Sequence, residues 1–85
     1  MSIVDRMSTP STRVDAIGKA CPVPVIDLAK AMADREPGDL VEVVADDPGA
    51  KVDIPVWCRM KRQELVTVHE GDAHWTFTVR KRVEM

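Results

Sequence analysis

Apolar residues recur along this chain with two different periods, and the switches between them mark out its elements. Residues 1–12 are polar, with Ser2, Ser8, Thr9, Pro10, Ser11 and Thr12, and show neither period, so they read as a disordered N-terminal tail ahead of one domain over 13–82. Arg13 to Ile17 alternates weakly and ends at Gly18, as a first strand and its turn would. Val25, Leu28, Ala29 and Met32 then fall at helical spacing, and Pro37-Gly38 stops that helix. Proline is tolerated in a helix's first turn, where the backbone amide has no partner in any case. Pro22 and Pro24 therefore fix the start of the helix, with Cys21 at or just before its first residue.

Leu40 to Ala45 is β-branched and apolar, as a central strand should be, and Asp46-Asp47-Pro48-Gly49 breaks it. A second helix is expected over about Lys51 to Arg62, with some irregularity at Pro55. Two stripes compete for its buried face. Ile54, Trp57 and Cys58 form one, and Val52, Val56 and Met60 the other. The first is favoured, because Trp57 offers the most apolar area to bury. The second is then either secondary core or an exposed apolar patch for a partner. The remainder is a hairpin: Leu65 to His69, a turn at Glu70-Gly71-Asp72, and Ala73 to Arg80, in which Trp75, Phe77 and Val79 alternate with polar residues. The order β-α-β-α-β-β implies an α/β two-layer sandwich, with a parallel first pair, a four-stranded mixed sheet and two helices packed on one face.

Composition narrows the function. Twelve Lys and Arg against 14 Asp and Glu leave a net charge of −2. That balance argues against a general nucleic-acid binder, so no direct nucleic-acid partner is expected. No apolar run approaches the ~18 residues of a membrane span, and the amino terminus lacks the apolar segment of a secretory signal. A cytoplasmic protein with free thiols is the expectation. Cys21, Cys58, His69 and His74 lack the spacing of a zinc site, and no metal or cofactor is expected.

The chemistry concentrates at Cys21. A thiol reacts as its thiolate, with an ordinary pKa of about 8.5. A helix amino terminus stabilises an anion by ~0.3–1 kcal/mol, occasionally ~2, so a moderately activated thiol is expected, pointing outward into solvent. Lys19 is positioned to add to this if its ammonium swings close. Pro22 and Pro24 delete two amide donors, which suits a sulfur nucleophile that must be handed on better than a phosphate cradle or an oxyanion hole. His69 and His74 flank the hairpin turn, and nothing in the pattern brings either to Cys21, which disfavours a Cys–His hydrolase.

The run Asp15-Ala16-Ile17-Gly18-Lys19-Ala20-Cys21-Pro22-Val23-Pro24, followed by Asp46-Asp47-Pro48 and Asp53-Ile54-Pro55-Val56-Trp57-Cys58, closely resembles the TusA/SirA-like sulfur carriers with their C-P-x-P motif. The resemblance covers about residues 13–80. It implies a sulfurtransferase in which Cys21 accepts sulfane sulfur as a persulfide. The donor would be a cysteine desulfurase or another persulfide-bearing protein. The acceptor would be a downstream protein of tRNA thiolation, molybdenum-cofactor assembly or sulfur oxidation, and a monomer is the expected state. Arg62-Gln63-Glu64-Leu65 departs from the G-H-E-L of many members and leaves the cysteine motif intact.

Other features have plainer readings. Cys58 lies on the Ile54–Trp57 stripe and reads as a buried, inert thiol, which also keeps it from attacking a persulfide on Cys21. Asp46 and Asp47 read as helix caps in preference to a cation site or partner contact. Arg59-Lys61-Arg62 and Arg80-Lys81-Arg82 read as solvated faces. The alternative to a sulfur carrier is a non-catalytic protein- or RNA-binding regulatory module, whose function would survive Cys21→Ser. A redox switch joining Cys21 to Cys58 would require Cα atoms ~4.4–6.8 Å apart.

Overall fold

A computed structural model describes residues 12–82. Its elements are β1 (Thr12–Ala16), α1 (Val23–Ala33), β2 (Leu40–Ala45), α2 (Pro48–Met60), β3 (Glu64–Glu70) and β4 (Trp75–Arg80). The expected tail lies outside the described residues except for Thr12, which already pairs with Val41. The second helix starts three residues earlier than its apolar stripe suggested. Pro48 occupies its first position and Asp47 caps it, so the segment read as a breaker is the helix start itself. Pro55 is accommodated without ending the helix.

The strands form one sheet in the order β1-β2-β4-β3. β1 and β2 are parallel, and the other two neighbouring pairs are antiparallel. Register explains the core. Val14 pairs with Val43 and Ala16 with Ala45, while Val41, Val43 and Ala45 face Val79, Phe77 and Trp75 across β4. These side chains share the face that the helices cover, α1 over β1 and β2, and α2 over β3 and β4. Leu28 and Met32 of α1 and Ile54 and Cys58 of α2 complete the cluster. Among the described residues no polar or charged side chain is buried. Phe77 and Ile54 are fully enclosed, each worth about 1.5–3 kcal/mol of burial.

The opposite face of the sheet is mostly polar, with Leu40 and Val44 of β2 buried on it. Arg13 sits opposite Glu42 and Arg80 opposite Glu64, each pair joined by an ion pair of 3.5 and 3.1 Å respectively. These are solvent-facing cross-strand contacts, and they set register more than they stabilise.

The stripe comparison on α2 resolves in favour of Ile54 and Cys58. Val52, Val56 and Met60 are 64%, 52% and 70% exposed. Trp57 differs from its expected place: it is half-buried and forms one wall of a cavity of about 560 Å³ at the carboxyl ends of both helices, with Met32, Pro37 and Lys61. Its ring packs against the edge of the core, while Ile54 and Cys58 fill the space between helix and sheet.

Candidate functional site

β1 and β2 are parallel, so the loops that leave them emerge at one end of the sheet. In open α/β sheets this is the end where functional residues gather. The first loop carries Cys21 to the start of α1, whose N-cap is Pro22 and whose second residue is the buried Pro24. The Cys21–Pro22 peptide bond is cis. The second loop is Asp46-Asp47, which leads directly into α2.

The acidic pair ties the two loops together. Asp46 Oδ1 accepts from the backbone amide of Gly18 at 2.9 Å, and Asp47 Oδ2 accepts from that of Cys21 at 2.6 Å. The other oxygen of Asp47 caps α2 through Gly49 N at 3.4 Å. Capping was the reading from sequence for both acids; Asp47 caps α2 and also bridges to the cysteine loop, whereas Asp46 bonds only to that loop. These amides, Cys21 first and Gly49 second, hold the Asp47 carboxyl below the usual carboxylate range.

Cys21 consequently lies against the start of α2 as well as that of α1. A methyl group built on Gly49 would stand 3.2 Å from Cys21 Cβ and 3.3 Å from Sγ, so glycine is what allows the thiol to rest there. Two features differ from expectation. First, the side chain is half-buried and packs against the core, so it does not stand free in solvent. Second, the thiol is not activated: its pKa is raised to about 11. Loss of solvent contributes most. The nearby carboxylate of Asp53, which favours the protonated thiol and repels its anion, comes next, followed by Asp47. Two helix termini favour a thiolate only weakly, and desolvation together with two facing carboxylates outweighs them.

Lys19 does not offset this. Its ammonium is bonded to Asp27 Oδ2 at 2.9 Å, so it pairs with an acid of α1 and is absent from the charges that act on the thiol. Of the residues singled out by sequence, Cys21, Pro22 and Pro24 come together at the helix start, and Lys19 turns to its own partner. Asp53 and Gly49 went unrecognised as neighbours of Cys21. A cap at Asp47 with acidic and glycine positions inside the next two turns is a visible pattern, but only the docking of α2 beside the first loop turns those positions toward sulfur.

Cys58 is 2% exposed, and burial pushes its thiol up to about 11 as well. Both cysteines are free. His69 pairs opposite Thr76 in the hairpin, His74 packs at its turn beside Gly71, and neither imidazole acts on the Cys21 thiol. Among the described residues no three His, Cys, Asp or Glu side chains gather as metal ligands, and no helix there is long and apolar enough to cross a membrane.

This sheet order with its two covering helices has counterparts among known proteins. The family model described as sulfurtransferase TusA matches residues 12–81. The chain belongs to the TusA family. A solved structure of a SirA-like protein from Desulfitobacterium hafniense shares the fold, with a TM-score of 0.74 at 20% sequence identity, covering 85% of this chain and 99% of that one. At that identity the likeness speaks for the fold alone. TusA membership supports a general role in sulfur transfer.

Proposed function

We propose that this protein is a sulfur carrier that accepts sulfane sulfur as a persulfide on Cys21 and relays it to an acceptor protein. The observation that carries this reading is the location of a partly accessible thiol at the strand-end rim of the sheet, packed where α1 and α2 both begin. Cys58, the other thiol, is sealed in the core.

In the loading step, the Cys21 sulfur attacks the outer sulfur of a donor persulfide, R–S–SH. A new S–S bond forms to Cys21, the donor's S–S bond breaks, and its electron pair stays on the donor thiolate, which takes up the proton Cys21 gave. No net oxidation occurs. Delivery is the same exchange run toward an acceptor thiolate. With its pKa near 11, Cys21 is almost wholly protonated at neutral pH, so the donor complex must also receive that proton. A cysteine desulfurase or another persulfide-bearing protein fits the donor role. A downstream protein of tRNA thiolation, molybdenum-cofactor assembly or sulfur oxidation fits the acceptor role.

The test is intact-mass measurement after incubation with a cysteine desulfurase and cysteine. The wild-type chain should gain the mass of one sulfur atom, reversible by a thiol reductant, and Cys21→Ala should gain none. Gain that survives in Cys21→Ala, or that maps to Cys58, rejects the assignment.

A further inference from the structure

A carrier must hold its cargo against the small thiols around it, and the surroundings of Cys21 bear on how. Discharge of a persulfide to a thiolate R–S⁻ forms R–S–SH and expels the Cys21 sulfur as a thiolate, so the electron pair of the broken S–S bond ends on Cys21. The rate of such an exchange falls as the leaving thiol becomes more basic. Whatever opposes negative charge on Cys21 Sγ therefore slows loss of the cargo.

Two acids belong to the part of α2 that lies beside that sulfur, Asp47 as its N-cap and Asp53 one turn beyond Gly49. Asp47 is fixed in place by the 2.6 Å bond from Cys21 N and by its cap on Gly49. Asp53, exposed to solvent, follows Gly49 by four positions and so lies on the face of α2 that the sulfur packs against, where its charge opposes a thiolate. The remaining charged groups nearby are committed elsewhere. Lys19, from the cysteine's own loop, is bonded to Asp27 of α1; Asp46 holds Gly18 N; Lys51 lies 5.5 Å over the Trp75 ring. Among the described residues neither Lys19 nor Lys51 is left to offset the two acids, and Gly49 lies against one side of the sulfur.

We propose that Asp53, with Asp47 beside it, is a positioning residue for cargo retention: the pair disfavours negative charge on Cys21 and so keeps the persulfide from discharging to adventitious thiols. This rests on the carrier reading above. It deepens that reading by making slow release a property of α2 and leaving rapid release to an acceptor that neutralises the carboxylates, for instance with a lysine or arginine of its own. No oxidant or reductant enters, because the sulfane sulfur keeps its oxidation state as it moves.

The experiment uses the full chain as wild type, Asp53→Asn and Asp53→Glu, with Asp47→Asn as a second neutralisation that keeps a capping oxygen. Alkylation of the unloaded thiol by iodoacetamide is followed against pH. Separately, each chain is loaded with sodium polysulfide, exposed to reduced glutathione at neutral pH, and assayed for the cyanide-labile sulfur it retains. In Asp53→Asn the alkylation midpoint moves to lower pH and the cargo half-life shortens by about threefold or more, while Asp53→Glu behaves as wild type. A merely structural role would leave the midpoint in place. Normal loading with an unchanged midpoint, or with an undiminished half-life in both neutralised variants, overturns retention and leaves the carrier reading standing. Failure of wild-type Cys21 to take up any sulfur rejects both.

Discussion

The backbone amide of Cys21 donates to Asp47 Oδ2 at 2.6 Å across 26 positions of sequence. That single carboxylate also caps α2, so the start of one helix and the approach to the other are fixed by one side chain.

Asp47→Ala removes cap and bridge together. The cap loss alone destabilises a helix start, and the unpaired Cys21 amide adds to it. The expected result is a lower urea midpoint than wild type and faster alkylation of Cys21 as its loop loosens. Acid reports the same contact. The Asp47 carboxyl is depressed in the folded chain, so its contribution is present above the ordinary carboxylate pKa and is lost as pH falls through the folded value. The wild-type midpoint should drop on acidification, and in Asp47→Ala this dependence should be weaker.

Gly49→Ala tests how closely the sulfur rests on α2. The new methyl would stand 3.3 Å from Sγ and 3.2 Å from Cβ, tighter than ordinary contact, so the cysteine must give way. Alanine gains roughly 0.5–1 kcal/mol of helix propensity, which offsets part of the crowding. Stability should therefore stay within about 1 kcal/mol of wild type, while Cys21 alkylation slows several-fold. Unchanged alkylation would mean that the thiol does not lie against this turn.

Arg62 is the one non-glycine residue with positive φ, 58°, among those described. It follows the C-cap of α2, where Gln63 N bonds to Cys58 O at 2.8 Å and Arg62 N to Arg59 O at 3.3 Å, the double closure of a Schellman ending. A left-handed backbone suits glycine, which has no Cβ to clash there. Arg62→Gly should raise stability by about 0.5–1 kcal/mol, read as a higher urea midpoint with an unchanged slope.

Alkaline pH should destabilise the fold through its two thiols. Cys21 and Cys58 are both raised from 9.0 to about 11. Their contribution is fully present below pH 9 and is lost as pH rises toward 11, because the unfolded chain gives up those protons first. Denaturation midpoints measured between pH 8 and about 11 should fall. The fall should be shallower in a Cys21→Ala, Cys58→Ala double variant.

Much of this molecule is decided locally, and for that part the sequence suffices. A period of two in Trp75, Phe77 and Val79, a period of 3.6 in Leu28 and Met32, and prolines that can only open a helix dictate element order, the buried faces and the helix start beside Cys21. The family likeness rests on the same local runs. Helix boundaries slipped at Pro48, where residues that break a strand also begin a helix, and at the carboxyl ends, where α1 stops at Ala33 ahead of Pro37-Gly38 and α2 at Met60 ahead of Arg62. The electrostatic state of Cys21 is different in kind. Reading along the chain supplied a helix dipole and Lys19, both of which favour the thiolate. The fold supplies desolvation, Asp47 and Asp53, which oppose it, and pairs Lys19 with Asp27. A pKa is set by every charge and every lost water within a few ångströms. Those neighbours arrive from a second helix whose docking no spacing in the first one encodes.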